Sequence, residues 1–371
     1  MTPVVAVLDE LAKQTALSEV RFVCDKAFAL QAKGLMSHAS MPVSTHVISA
    51  GKLRRYKHFR IRDYIIHPSI VARNVIDSGK ILIGILQSIR VIRDYRPDVV
   101  FLKGGYVCLP VGIAARLCRV PVMIHDSDAR PGLTNRILAP RADMIATGYP
   151  LENYPYDSTK THYTGVPIND KFTTISSEMQ NKLKKRLGLS ATTPLIVAIG
   201  GGLGSRSIND AMIESLPKLA GVGAYAVIVA GKKNYTYAKE VCEPYSNVTV
   251  FEFVSEGLRD LLGAADIVVT RASATSLQEL AGLKKSVIAI PARQLGDQHK
   301  NAVVYEAAEA AVVLSDDDIA KPNLLGNEIV NLLHDKARRK LLAEHLHEFA
   351  KPNAARDVVT LLLDLAKRKK R

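Results

Sequence analysis

Short aliphatic runs recur along this chain between longer segments whose apolar positions return every three or four residues. That rhythm predicts β-strands alternating with helices, the signature of βαβ units and parallel sheets. Strands are expected in the first half near Val20–Cys24, Val99–Leu102, Val122–His125 and Met144–Ala146. In the second half they are expected near Leu195–Ile199, Ala226–Ala230, Val248–Phe251, Ile267–Thr270, Ser286–Ile290 and Ala311–Leu314. Residues 150–193, between the halves, are polar and rich in Pro, Thr and Lys. The chain therefore reads as α/β, with two doubly wound, Rossmann-like domains facing across a cleft and ligands at the strand C-termini. The first half opens directly on a helix, Pro3–Lys13, with Pro3 suited to a first turn. The strand and turn that should precede it are absent, and omitting a central strand leaves its neighbours unpaired. The reading expects a start assigned too late or a truncated chain, with an apolar strand and a Gly-rich turn ending in His encoded upstream of Met1.

The strongest local signal is the run Gly200-Gly201-Gly202-Leu203-Gly204-Ser205 directly behind Leu195–Ile199. A buried strand there breaks into a tight turn and opens a helix through Ser207-Ile208-Asn209-Asp210. Glycines let backbone N–H groups approach a ligand, and the helix N-terminus adds partial positive charge, so the turn suits a phosphate or pyrophosphate. The same turn also serves many doubly wound domains as simple chain reversal.

At 371 residues and 47% hydrophobic content, the chain can bury two cores. Cys24, Cys108, Cys118 and Cys242 follow no metal or disulfide spacing, which points to reduced thiols in the cytosol and no metal site. The net charge of +14 is concentrated: Lys52, Arg54, Arg55, Lys57, Arg60 and Arg62 fill residues 52–62 without an acid, and the chain ends Lys367-Arg368-Lys369-Lys370-Arg371. A solvated basic face is one reading. Nucleic acid is disfavoured because no RNA- or DNA-binding motif accompanies the charge. An anionic membrane surface gains from the apolar helical segment 75–92 just downstream.

Four further segments carry candidate chemistry. Lys103-Gly104-Gly105-Tyr106-Val107 and His125–Arg136 each follow a predicted strand in the first half. Arg271–Glu279 is a third strand-to-helix turn, where Thr275 and Ser276 can donate to phosphate oxygens. Glu279 can accept both hydroxyls of a ribose or simply complement the helix dipole. In Gly296–Ala302, Asp297 and Gln298 can bond sugar hydroxyls or cap a turn. The dinucleotide pattern G-x-G-x-x-G with its distant acid, the P-loop Gly-Lys-Ser/Thr, the Ser/His/Asp elbow and HExxH are all missing. A nucleotide-sugar pocket remains.

At these residues the chain resembles the MurG family of bacterial N-acetylglucosaminyltransferases. The matching runs are SAGKLRRY (49–56), KGGYVCLPVGIAARL (103–117), PVMIHDSDARPGLTNRI (121–137), TGVPI (164–168), AIGGGLGS (198–205), TRASATSLQELAGLKKSVIAIP (270–291) and GDQHKNA (296–302). The resemblance implies a GT-B glycosyltransferase. Residues 1–165 would form the acceptor- and membrane-binding domain, completed by a C-terminal helix over 353–371, and residues 166–352 would bind the UDP-sugar. Gly202, Gly204 and Ser205 would lie at the phosphates, Val254 near the uracil, and Ala274, Thr275 and Ser276 along the diphosphate. Glu279 would take the ribose and Gln298 the N-acetylglucosamine, with Asn169 near the nucleotide. Gly104, Gly105, Tyr106, Asp126, Asp128 and Asn135 would serve an undecaprenyl-linked acceptor, and residues 52–62 and 75–92 would dock on anionic lipid at the cytoplasmic membrane face. No cofactor is implied.

The chain departs from the family at several of these positions. The family's N-terminal Gly-Gly-x-Gly-Gly-His turn is missing, and with it a candidate base. Gly202 and Leu203 stand where Ser and Gln are common, Asn169 where many members have Arg, and Asp126 where Glu is usual. The expected reaction is inverting transfer from UDP-N-acetylglucosamine to the 4-hydroxyl of an undecaprenyl-pyrophosphoryl muramyl-pentapeptide. Asp126 is the expected base, and helix N-termini would stabilise the leaving diphosphate. Competing readings are a transferase for another lipid, a nucleotide-sugar epimerase and a non-catalytic sugar-nucleotide-binding protein.

Overall fold

The computed structural model describes residues 2–14, 19–37, 39–52, 68–202, 204–254 and 256–369. The chain divides into two compact units, Met1–Pro167 with Asn353–Arg371, and Ile168–Pro352.

The first unit runs α1 (Thr2–Gln14), β1 (Val20–Asp25), α2 (Ala29–Met36), β2 (Val43–Ile48), α3 (Pro68–Tyr95), β3 (Val100–Leu102), α4 (Cys108–Leu117), β4 (Val122–Asp126), α5 (Leu133–Leu138), β5 (Met144–Thr147) and β6 (Thr161–Tyr163). The C-terminal helix Ala354–Lys369 returns to it. Every ladder is parallel. Successive residues of β4 point to opposite faces. Val122 and Ile124 enter a core with Leu102, Ala114 and Leu138, while Met123 packs with Val7 of α1 and Val358, Val359 and Leu362 of the C-terminal helix. One difference from expectation concerns the sheet, which comes in two parts: β1 with β2, and β3-β4-β5-β6. No ladder joins the two parts among the described residues. Strands β2 and β6 escape the hydrophobic pattern because they are short, polar and half exposed, as edges are.

The second unit contains α6 (Ser177–Arg186), β7 (Leu195–Ile199), α7 (Arg206–Gly221), β8 (Tyr225–Val229), α8 (Tyr235–Cys242), β9 (Val248–Phe251), α9 (Leu258–Ala264), β10 (Ile267–Thr270), α10 (Ala274–Leu283), β11 (Ser286–Ala289), α11 (Gly296–Ala307), β12 (Val312–Val313), α12 (Asp316–Ile319), α13 (Leu324–His334) and α14 (Lys336–Glu348). Its single sheet has the order β12-β11-β10-β7-β8-β9, all parallel. Every residue of β10 and β11 is buried, which explains their unbroken apolar runs. The winding starts at β7, runs out to β9 and returns to β10, so the direction switches between β7 and β10. In such sheets the crevice outside the strand C-termini at that switch is where ligands bind.

Candidate functional site

In the second unit both turns flanking the switch are those singled out by composition. Behind β7, Gly204 N–H donates to Gly201 O at 3.0 Å, closing the glycine turn. Gly201 and Gly204 take φ of +83° and +73°, values that favour glycine. A Cβ on Gly204 would sit 2.2 Å from Ala230 O, whereas one on Gly202 would meet nothing within 4 Å. The backbone also crowds a Cβ at Gly200, 2.2 Å from Ser205 N, so the fold constrains Gly200, Gly201 and Gly204 while Gly202 faces open space. Ser205 caps α7, its Oγ accepting from Ile208 N–H at 3.4 Å. That hydroxyl is committed to the fold, so backbone N–H groups are the turn's remaining donors toward a ligand.

The turn after β10 is tied to the first through Arg271, a residue the sequence reading quoted but assigned no role. Its guanidinium donates to Ser205 Oγ (2.6 Å), Ser207 Oγ (2.9 Å), Asp316 Oδ1 (2.9 Å) and Ile290 O (3.1 Å). Asp316 also accepts from Ser207 Oγ at 2.8 Å and from Arg293 N–H at 3.0 Å. These bonds and the Arg271 charge keep its carboxyl below the usual range despite the opposing effect of burial, the largest single influence. One side chain thus joins the C-terminal ends of β7, β10 and β11 to the start of α12. Sequence spacing could not reveal this, since the partners lie 19 to 66 positions away in the chain.

Ser273 caps α10 and donates to Ser276 Oγ at 2.8 Å, while no hydrogen-bond partner reaches the Thr275 hydroxyl among the described residues. Glu279 lies in the second turn of α10, only 8% exposed, and none reaches its carboxylate either. Burial pushes its pKa up to about 7. A buried carboxylate without a partner costs stability, so it is the group in this unit most in need of a ligand's hydrogen-bond donors. Gln298 uses its Oε1 to accept from Ala292 N–H at 2.9 Å, leaving its amide N–H groups for other work. Asn169 closes a local turn on Lys171 N–H at 3.0 Å, and Val254 is half-buried just beyond β9.

The first unit gathers its own cluster at the ends of β3 and β4. Asp126, the last residue of β4, is 4% exposed. Tyr156 Oη donates to its Oδ2 at 2.8 Å, and Asn135 also hydrogen-bonds it. Burial, reinforced by the charge of Asp128, raises the Asp126 pKa to about 6, against the lowering effect of Tyr156, Asn135 and Lys103. A carboxylate so poised can take a proton near neutral pH. His125 beside it is fully buried, and burial together with the Lys103 charge holds it well below its usual range. Its Nε2–H donates to Gly165 O at 3.0 Å, so Nδ1 is left to accept from Ser127 Oγ at 3.3 Å. The ammonium of Lys103 donates to that same Ser127 Oγ.

Gly104 and Gly105 both take positive φ, and Asn135 packs where a Gly104 side chain would begin. Tyr106 Oη donates to Asp25 Oδ2 at 2.6 Å, across the break between β3 and β1. Burial and that carboxylate push its pKa up to about 12. Asp128, Asn135, Gly104 and Asp126 are thus brought together, with Tyr156 added. Tyr156 comes from a stretch that reads as a polar connection, and nothing in its sequence context marks it.

Comparison with known proteins places the chain in a family. The description "Glycosyltransferase family 28 N-terminal domain" matches residues 1–147, and "Glycosyltransferase family 28 C-terminal domain" matches residues 195–358. A curated relative from Geobacillus thermodenitrificans is 35% identical over 286 residues, 76% of this chain and 74% of its own length. One from Clostridium kluyveri is 32% identical over 333 residues, 88% of this chain and 86% of its own. Both are named UDP-N-acetylglucosamine–N-acetylmuramyl-(pentapeptide) pyrophosphoryl-undecaprenol N-acetylglucosamine transferase. The chain belongs to the MurG family.

A crystal structure of MurG from Acinetobacter baumannii superposes with a TM-score of 0.72 at 20% identity, covering 98% of this chain and 95% of that one. A UDP-GlcNAc 2-epimerase from Neisseria meningitidis, bound to UDP-GlcNAc, gives 0.64 at 15% identity, covering 98% and 96%. At such identities the likeness speaks for the fold, which is the two-domain, Rossmann-like GT-B class of the MurG family. The MurG likeness extends through both α/β units.

Proposed function

We propose that this protein transfers N-acetylglucosamine from UDP-N-acetylglucosamine to an undecaprenyl-pyrophosphoryl muramyl-pentapeptide, with inversion, as a peripheral enzyme of the cytoplasmic membrane face. The observation that carries the donor half is the buried, partnerless Glu279 beside two strand-to-helix turns at a topological switch. Its carboxylate accepts the ribose hydroxyls. The Gly202 N–H and the α7 and α10 N-termini hold the diphosphate, lined by Gly204, Ser205, Ala274, Thr275 and Ser276. Gln298 offers its amide to the sugar, while Val254 and Asn169 border the nucleotide. In the first unit, Gly104, Gly105, Tyr106, Asp128 and Asn135 position the acceptor. Asp126 removes the proton of the 4-hydroxyl as that oxygen attacks the anomeric carbon, and UDP leaves with the bonding pair.

Labelled UDP-N-acetylglucosamine offered with muramyl-peptide lipid or with diacylglycerol tests the reading. Product is expected with the muramyl-peptide lipid alone. Label appearing on diacylglycerol, or donor epimerised without any acceptor, would refute it.

The Glu279 assignment makes a pH prediction of its own. Ribose hydroxyls bond the ionised carboxylate, which forms as pH rises through about 7. The donor KM should therefore climb as pH falls below 7, approaching about tenfold per unit. Glu279→Gln should raise the KM and flatten that dependence. An unchanged profile in the variant removes Glu279 from donor binding.

Membrane docking is supported by α3. One face of this helix packs inward through Asp77, Ile81, Ser88, Val91 and Ile92. Another leaves Val75, Ile76, Leu82, Ile83 and Leu86 exposed, with Val75 at 66% and Leu86 at 69%. That second stripe lies close in sequence to the basic run, of which residues 53–62 fall outside the described residues. No helix among the described residues is long and apolar enough to cross a membrane. An apolar stripe beside cations suits insertion at an anionic interface. Sedimentation with phosphatidylglycerol vesicles should pull the protein down, and Leu82→Glu with Leu86→Glu should release it. Equal binding by the variant would place the contact elsewhere.

A further inference from the structure

Lys103 is half-buried, and three other buried or half-buried lysines among the described residues have evident structural employment. Lys160 donates to the carbonyls of Ala139, Pro140 and Ala142, and Lys285 to those of Gly263 and Ala265. Lys184 bonds Thr193 O and pairs with Asp266. Each ammonium is satisfied where a chain segment ends. Lys103 is placed differently. It follows β3 at the start of the Gly104-Gly105 turn, and among the described residues its ammonium has one hydrogen-bond partner, Ser127 Oγ. Ser127 in turn sits against His125 Nδ1, and the sequence neighbours of Ser127 are Asp126 and Asp128. His125 is neutral in its buried setting, so it supplies no positive charge to the two carboxylates.

We propose that Lys103 is a positioning residue of the acceptor side: through Ser127 it holds the 126–128 segment in one arrangement and supplies the cation that keeps Asp126 ionised. This rests on the reading of Asp126 as the base. The groups bearing on Asp126 come from every neighbouring element. They are Tyr156 and Tyr154 from the segment after β5, Asn135 from α5, Asp128 from its own loop, and Lys103. Of these, Lys103 alone is a cation, and Cys108 of α4 is the further titratable group bearing on it. Burial lowers the Lys103 pKa to about 8, against the raising effect of Asp128 and Asp126, so the ammonium persists through the range in which Asp126 titrates.

The test compares pH profiles of kcat/KM for the acceptor in the full chain, wild type against Lys103→Met and Lys103→Arg. Lys103→Met is expected to move the acid limb to higher pH and to recover turnover at alkaline pH. Lys103→Arg is expected to keep the limb near its wild-type position. A purely structural lysine would instead depress activity at every pH. Carboxyl 13C titration of Asp126, assigned by its loss in Asp126→Asn, should report the same upward move without depending on activity. Ser127→Ala should shift the midpoint in the same direction by less, and it serves where Lys103→Met does not fold. An Asp126 midpoint unmoved in Lys103→Met, or in Ser127→Ala where that variant must stand in, overturns the proposal. Full turnover by Asp126→Asn would instead remove the base assignment, leaving the titration to decide whether Lys103 governs that carboxylate.

Discussion

Replacing Asp126 by Asn is expected to lower turnover by about two to four orders of magnitude, the range a positioned general base supplies, while leaving donor binding intact. The substitution keeps the shape of the side chain and removes its charge, so the first unit still folds. With burial raising the carboxyl pKa to about 6, wild-type kcat/KM should fall about tenfold per unit below that pH and level above it. Asp126→Asn loses that limb along with the rate.

Its stability moves the other way. Burial raises the folded pKa of Asp126 above its unfolded value, so the ionised group weakens the fold, and the relative stability present at low pH is lost as pH rises through about 6. At pH 7 the Asn variant should therefore melt higher, by an amount of order 1–2 kcal/mol once the changed bonds to Tyr156 and Asn135 are allowed for. Wild-type turnover in this variant, measured with saturating donor, would refute the base assignment; a lower melting temperature would refute the account of burial.

The second large effect is expected at Gly204. Alanine there must adopt φ near +73°, which costs about 1–2 kcal/mol, and its Cβ would lie 2.2 Å from Ala230 O. That carbonyl cannot swing aside, because Asn209 Nδ2 holds it at 3.0 Å and Asn234 Nδ2 at 3.2 Å. The turn has to open instead, pulling its N–H groups out of line. Gly204→Ala should lose about 3 kcal/mol or more of stability and weaken UDP binding at least about tenfold. Gly202→Ser, two residues away, meets open space and should fold normally while tightening the donor through a new hydroxyl. Equal melting temperatures and UDP affinities for Gly204→Ala and wild type would show that the turn is not rigid.

What the chain reveals by itself follows from periodicity and local chemistry. The buried strands β4, β5, β7, β8, β10 and β11 announce themselves by runs of three or more apolar residues because both faces are covered. The glycine turn is legible because positive φ at Gly201 and Gly204 requires that residue type. Glu279 is legible as an acid on a helix directly after a small-residue turn. The half-exposed strands β2 and β6 carry no such signal, since an edge strand need not be apolar.

Only the tertiary structure decides which polar groups are spent on the fold and which remain for chemistry. It commits the Ser205 hydroxyl and the Gln298 carbonyl oxygen to internal bonds and leaves Glu279 without a partner among the described residues. It also brings Tyr156 to Asp126 from 30 residues away and Arg271 to Ser205 from 66. Parallel strands joined by crossover helices set residues side by side at one sheet edge however far apart they lie in sequence. Sequence alone could therefore determine that this protein has nucleotide-sugar chemistry at strand ends. The hydrogen bonds and burial that tune each carboxylate depend on long-range packing, and no local pattern encodes them.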